Sequence, residues 1–157
     1  MKKIILMVAL FATGIAQVVV ANPGTSSQTG QILSAYYQLK DNLVKGDPVT
    51  AAASAEYLII AVKGSDTTTI DGNTQSILLK DAIAISQTKD LKLQREKFAI
   101  LSNNMIELAK RVKFTPEPVY RQYCPMKKAS WLSHEKVIKN PYYGNAMLTC
   151  GSVIETL

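Results

Sequence analysis

The side chains with the most chemistry to offer stand in one segment, YRQYCPMKKASWLSHEKVIKNPYYGNAMLTCG, residues 120–151. It holds both cysteines of the chain and two of its five methionines. Cys124 and Met126 flank Pro125, and Met147 and Cys150 stand three residues apart near the other end. Thiolate and thioether are soft donors, a combination that suits Cu(I) or Ag(I) and that zinc seldom accepts. On an extended segment Cys124 and Met126 point to the same side. Met147 and Cys150 share a side only where the backbone turns, and Pro141 and Gly144 make room for a turn. Where the two clusters meet, four sulfurs or a subset converge. His134, the one histidine, is an alternative nitrogen donor.

The same residues also fit a Cys124–Cys150 disulfide. It would close a loop of about 25 residues and contribute about 3–4 kcal/mol by chain entropy. In that case Met126 and Met147 are ordinary packing side chains. Outside the cytoplasm two thiols within reach oxidise unless a metal or a reductant holds them. A reduced pair can bind a metal and an oxidised pair cannot. Spacing alone leaves metal centre, crosslink and plain buried thiols all open.

Catalysis is not expected. A Cys124 nucleophile would need a positioned base and an orienting group, and His134 has no companion marked out by the sequence. The cysteines do not form the Cys-x-x-Cys of oxidoreductases. There is no phosphate-cradling glycine loop and no dinucleotide fingerprint.

The compartment is read from the first residues. Met1-Lys2-Lys3 is a basic start, Ile4 to Ala12 is apolar, and Val19-Val20-Ala21 offers a small residue before Asn22. This three-part pattern is that of a secretory signal peptide over residues 1–21. Thr13, Gly14 and Gln17 interrupt the run, so it falls short of the ~20 apolar residues a spanning helix needs. No cysteine lies near the cleavage position, which excludes a lipoprotein anchor. The expectation is a periplasmic or secreted chain that does not span the membrane after cleavage. Loss of Lys2 and Lys3 lowers the formal charge from +6 to +4. The remaining basic residues are scattered, and no nucleic-acid partner is expected.

The sulfur segment must be held by the elements before it. Residues 22–30, NPGTSSQTG, are polar and turn-forming and are expected to be a disordered lead-in. Residues 31–157 then suit a single domain with its own core, helical over 31–113 and different in style over 114–157. Ile32, Tyr36, Leu39 and Leu43 line one helical face. Gly46 stops that helix, and Asp47-Pro48 caps and opens the next. In this second, alanine-rich helix Ala52, Tyr57, Ile60 and Ala61 are expected inward. GSDTTTIDGN reads as a loop, and a third helix over about 74–88 carries Ile77, Leu78, Ala82 and Ile85. Asp90 caps a fourth helix with Leu91, Phe98, Leu101, Met105, Leu108 and Val112. The fold class is therefore mainly α, an antiparallel four-helix bundle with a C-terminal irregular module containing two short strands.

Pro116 and Pro118 end the helical part and force extended backbone. Four of the seven tyrosines, the one tryptophan and the one histidine follow them. Such a tail is too aromatic to be disordered and should fold onto the helices, with Trp131 as an anchor.

Tyr123-Cys124-Pro125-Met126, Trp131-Leu132-Ser133, Asn140-Pro141-Tyr142-Tyr143-Gly144 and Met147-Leu148-x-Cys150-Gly151 together resemble an uncharacterised bacterial periplasmic domain family. YYQLKDNLVKGD and LSNNMIELAK are similar to that family's helical portion. Its members occur alone behind signal peptides or fused to periplasmic adaptor subunits of heavy-metal efflux systems. The resemblance implies an exported accessory domain that handles copper or a related soft metal. The implied partner is a periplasmic efflux adaptor or another metal-handling protein. The expected metal set is Cys124, Met126, Met147 and Cys150, with His134 as the alternative donor. The rival expectation is a structural or interaction module carrying a Cys124–Cys150 disulfide and no metal.

Overall fold

The computed structural model describes residues 27–157. The expected leader over residues 1–21, and the expected lead-in as far as residue 26, lie outside the described residues. The rest of that lead-in is not disordered: Ser27 is the N-cap of the first helix, its Oγ accepting the Gly30 N–H at 3.1 Å.

Four helices follow, α1 (Gln28–Lys45), α2 (Pro48–Lys63), α3 (Gly72–Ser86) and α4 (Leu91–Ala109). Their boundaries have local causes. Gly46 takes φ +76°, a left-handed conformation that turns its N–H onto the carbonyls of Asn42 and Leu43 and ends α1. Asp47 receives the N–H groups of Val49 and Thr50, and Pro48 opens α2 where no amide hydrogen is needed. Asp71 caps α3 through the Thr74 N–H, so this helix begins inside the stretch expected to be a loop. Asp90 caps α4 through Lys92 and Leu93 as expected.

Ile32, Tyr36, Leu39 and Leu43 are fully buried, as their spacing predicts. In α2 the expected face is partly wrong. Tyr57 and Ile60 are 60% and 66% exposed, and the buried line is Ala51, Ala55, Leu58 and Val62. This helix is apolar nearly all round, so its own pattern does not fix which face is covered. Ile77 of α3 is likewise exposed, while Leu78, Ala82 and Ile85 are buried.

Consecutive helices pack on one another, and α1 meets α4 through side chains. The Tyr36 and Phe98 rings stack at 5.2 Å, and Arg95 Nη2 donates to the Leu43 carbonyl at 2.9 Å. Among the described residues no helix is long and apolar enough to cross a membrane.

The tail contains three strands rather than two: β1 (Tyr120–Cys124), β2 (Ala129–Ser133) and β3 (Ser152–Thr156). They form an antiparallel sheet in the order β2-β1-β3. The additional strand is Ala-Ser-Trp-Leu-Ser, and the reason is the short turn Pro125–Lys128. Lys128 adopts φ +55° there, which folds the chain back into a hairpin pairing Cys124 with Ala129 and Tyr120 with Ser133. A bulge between Arg121 and Gln122 shifts the register with β3. The chain is thus mainly helical, with four helices and a C-terminal three-stranded sheet.

One continuous core joins the two parts, running from Ile32 and Leu58 through Phe98 to Trp131, Leu132 and Cys124. α4 lies against β2. Trp131 is fully buried and meets Tyr142 edge-on at 5.8 Å, and Tyr142 in turn meets Phe98 at 6.0 Å. The tryptophan therefore anchors the tail, as its setting in the sequence suggests.

Candidate functional site

The sheet brings the two thiols together. Cys124 ends β1, and Cys150 lies two residues before β3, whose Ser152 pairs with Tyr123. Their Sγ atoms are 2.7 Å apart although 26 positions separate them in the chain. Cys124 is fully buried, and Cys150 is only partly covered. Both are free thiols in this structure.

Three local features set this approach. The first is Gly151, at φ +148°, a conformation that side chains rarely adopt. A Cβ there would lie 2.9 Å from Trp131 Cη2 and 2.9 Å from the Tyr123 carbonyl oxygen. Only a residue without a side chain lets this strand close onto β1.

The second is Asn140, fully buried behind the pair. Its Nδ2 donates to the Cys150 carbonyl at 2.8 Å, and its Oδ1 accepts the Tyr142 N–H at 2.8 Å. Its own N–H donates to the Leu148 carbonyl at 2.8 Å. A turn residue in the sequence is thus the hub that holds the Cys150 segment. Sequence reasoning assigned Asn140 only to a turn; an Asx residue just before Pro141, between the sulfur clusters, was the signal available.

The third is the hairpin turn Pro125–Lys128, which fixes Cys124 opposite Ala129 at the end of the β1–β2 ladder.

These contacts make the two thiols unequal. Burial pushes the Cys124 thiol up, but hydrogen bonds from the Cys150 thiol, the Lys127 N–H, the Asn140 side chain and the Met126 N–H outweigh it. The result is a thiol held below its ordinary value. Cys150 moves the other way, raised by its hydrogen bond to Cys124, then by desolvation and by charge on that neighbour. One proton shared between two sulfurs is the simple picture, with the negative charge favoured on the buried one.

The remaining expected ligands are placed differently. Met126 lies in the turn after Cys124 with its side chain 66% exposed. Met147 is 36% exposed, and its carbonyl accepts the Cys150 N–H at 3.1 Å. His134 follows β2 at the end opposite Cys124, about 17 Å along the hairpin for the five residue steps from Ala129, the partner of Cys124. It packs against the Tyr37 ring at 5.1 Å and lies 3.5 Å from Glu135. The hairpin register carries His134 away from the thiols. Among the described residues there is no group of three or more His, Cys, Asp or Glu able to hold a metal ion.

No curated protein matches the chain, and no solved structure does either. A family model matches residues 32–116, which covers α1 to α4 and stops short of the sheet and its thiols. On that match, which spans more than half of the sequence, the chain belongs to the family described as Protein of unknown function (DUF3347).

Proposed function

We propose that this chain is an exported, non-catalytic accessory domain whose Cys124 and Cys150 close as a disulfide in an oxidising compartment. The observation that carries the reading is the 2.7 Å separation of two sulfurs 26 positions apart. Two thiols this close, with no third strong ligand beside them among the described residues, suit a bond to each other better than a four-sulfur cage. The crosslink would staple the sheet to its own loop and leave the helices as a platform for a partner protein. Intact mass after alkylation, with and without reductant, tests it. Both cysteines should be alkylated only after reduction; complete alkylation of the untreated chain sinks the reading.

A second reading is favoured by one observation, the exposed Met126 thioether on the turn that directly follows Cys124, beside the close pair of sulfurs. In the reduced chain Cys124 and Cys150 would bind Cu(I) or Ag(I), ions content with few soft ligands, and Met126 or Met147 could add a thioether. The sulfurs would have to part from 2.7 Å to admit an ion. A periplasmic efflux adaptor is the partner that the sequence resemblance suggests. Reduced chain titrated with Cu(I) against a chromophoric competitor should bind one ion. Unchanged affinity after Cys124→Ser with Cys150→Ser removes this reading.

A further inference from the structure

The sheet has two outer strands, β2 and β3, and their free sides differ. On β2 the backbone groups that turn away from β1 are taken. The Ser130 carbonyl accepts the Tyr142 hydroxyl at 2.6 Å, and the Leu132 N–H donates to the Tyr36 hydroxyl at 3.1 Å. Two buried tyrosines thus seal that edge against a further strand. β3 has no such seal. Val119 and Leu157 exchange both backbone hydrogen bonds, so by alternation Thr156 and Ile154 turn their N–H and C=O groups to the other side. Among the described residues no hydrogen bond reaches those outward groups, and Ile154 is 49% exposed. The strand, Ser-Val-Ile-Glu-Thr, carries no lysine and no proline, residues that commonly blunt an edge.

A cleft opens at the end of this free edge. It is formed by the 109–119 segment together with Thr156 and Leu157 and holds about 380 Å³, within the ~300–1,000 Å³ of clefts that take ligands. Lys110, Arg111 and Lys113 line it against one carboxylate, Glu117, which the Thr115 hydroxyl already engages. Lys110 pairs with Glu107, and Arg111 stands 3.6 Å from Asp71. Lys113 is exposed and has no ion-pair partner among the described residues. We infer that β3 is a docking edge for an extended acidic segment of a partner protein. The backbone of that segment pairs with Ile154 and Thr156 as an added strand, and an acidic side chain beyond the pairing enters the cationic cleft. The bulge breaks the ladder on the Val153 side, so few backbone bonds are on offer and charge must contribute.

A second copy of the chain fits this edge less well. Self-pairing that sets Ile154 against Thr156 of the other copy places the two Glu155 side chains opposite each other, and like charges directly opposite destabilise a sheet. It also joins two chains of net positive charge. The edge is open while both thiols are free, so the proposal goes beyond the crosslink reading and does not depend on it.

The test uses the full chain and short capped peptides of alternating valine and glutamate as the probe. The peptide should slow hydrogen exchange of the Ile154 and Thr156 amides several-fold and shift the resonances of Lys113. No protection of these two amides at millimolar peptide overturns the docking edge. The acidic peptide should bind at least about tenfold more tightly than one with lysine in place of glutamate. Equal affinity of the two overturns the acidic character of the partner. A peptide N-methylated throughout leaves the chain unaltered but has no backbone donors, and should lose at least about tenfold in affinity. If it binds as well as the parent peptide, contact occurs without strand pairing and the proposal fails. Thr156→Pro removes one outward donor where proline is tolerated, on the free side of an edge strand, and should weaken binding at least about fivefold. Circular dichroism confirms its fold, and undiminished binding by the folded variant overturns the placement. Sedimentation of the chain alone covers the remaining occupant. A dimer whose Ile154 and Thr156 amides are already protected assigns the edge to a second copy and overturns the acidic partner.

Discussion

Tyr36 of α1 reaches 96 positions along the chain to accept the Leu132 N–H of β2 at 3.1 Å. The same hydroxyl shares a 2.7 Å hydrogen bond with Ser102 of α4. All three groups are buried, and burial, opposed by those two hydrogen bonds, raises the tyrosine well above its ordinary pKa. The seat of the sheet on the helices is thus a polar contact inside an apolar core. Removing the hydroxyl leaves a buried strand N–H without an acceptor, at a cost of about 1–3 kcal/mol. Tyr36→Phe should lower stability to urea by that amount with little change in helix content. A variant as stable as the parent would show that the contact contributes nothing net.

Closing the Cys124–Cys150 bond should stabilise the chain by about 3–4 kcal/mol for a loop of this length. Urea midpoints of oxidised and reduced chain, compared with the Cys124→Ser, Cys150→Ser double variant, measure it. Reduced chain and double variant should nearly coincide, with the oxidised chain well above both.

Gly151→Ala should be among the most damaging small substitutions in the sheet. The added methyl meets Trp131 and the Tyr123 carbonyl at 2.9 Å, at a φ of +148° that alanine resists. A loss of about 1–3 kcal/mol is expected from the backbone conformation alone. The crosslinked fraction under mild oxidation should fall with it. If the variant oxidises as readily as the parent, the glycine is not what lets the strands close.

The reduced pair should titrate in two separated steps, one below and one above the ordinary thiol value of 9.0. Ultraviolet thiolate absorbance follows both. Cys150→Ala should raise the first step, because the donor to Cys124 is removed. The sign for stability follows from linkage. Cys124, lowered in the fold, contributes stability above its unfolded value and loses it as pH falls through the folded one. Cys150, raised in the fold, contributes stability below its unfolded value and loses it as pH rises through the folded one. Relative to the cysteine-free variant, the reduced chain should be most stable near the ordinary thiol range. A flat difference across that range would contradict the assignment of unequal thiols.

Helix existence and caps were legible because their causes are local. Gly46, Asp47-Pro48 and Asp90 act within one turn, and the Ile32 to Leu43 line has a single apolar face. The covered face of α2 was not legible, since Tyr57 and Ile60 are as apolar as the alanines that displaced them from the core. In the tail, residue types singled out the two thiols, but their meeting rests on the pairing of β3 with β1, which no local pattern encodes. What hid the third strand was Lys128, a residue with no marked turn preference in a left-handed turn. The place of His134 was hidden for a related reason: without the hairpin register, ten residues from Cys124 says nothing about distance. Asn140 was visible only as a turn former, because its work is done by contacts to the Cys150 and Leu148 carbonyls that no local pattern encodes.

Pairing of β3 with β1 also sets a schedule. Cys150 trails Cys124 by 26 positions, an interval of about 1–5 s at ~5–20 residues per second of synthesis. The helices precede both, so a nascent chain displays an orphan thiol on an assembled platform before the second one arrives. For those seconds any other sulfur compound nearby competes for Cys124, and correct maturation is a race that the late strand must win.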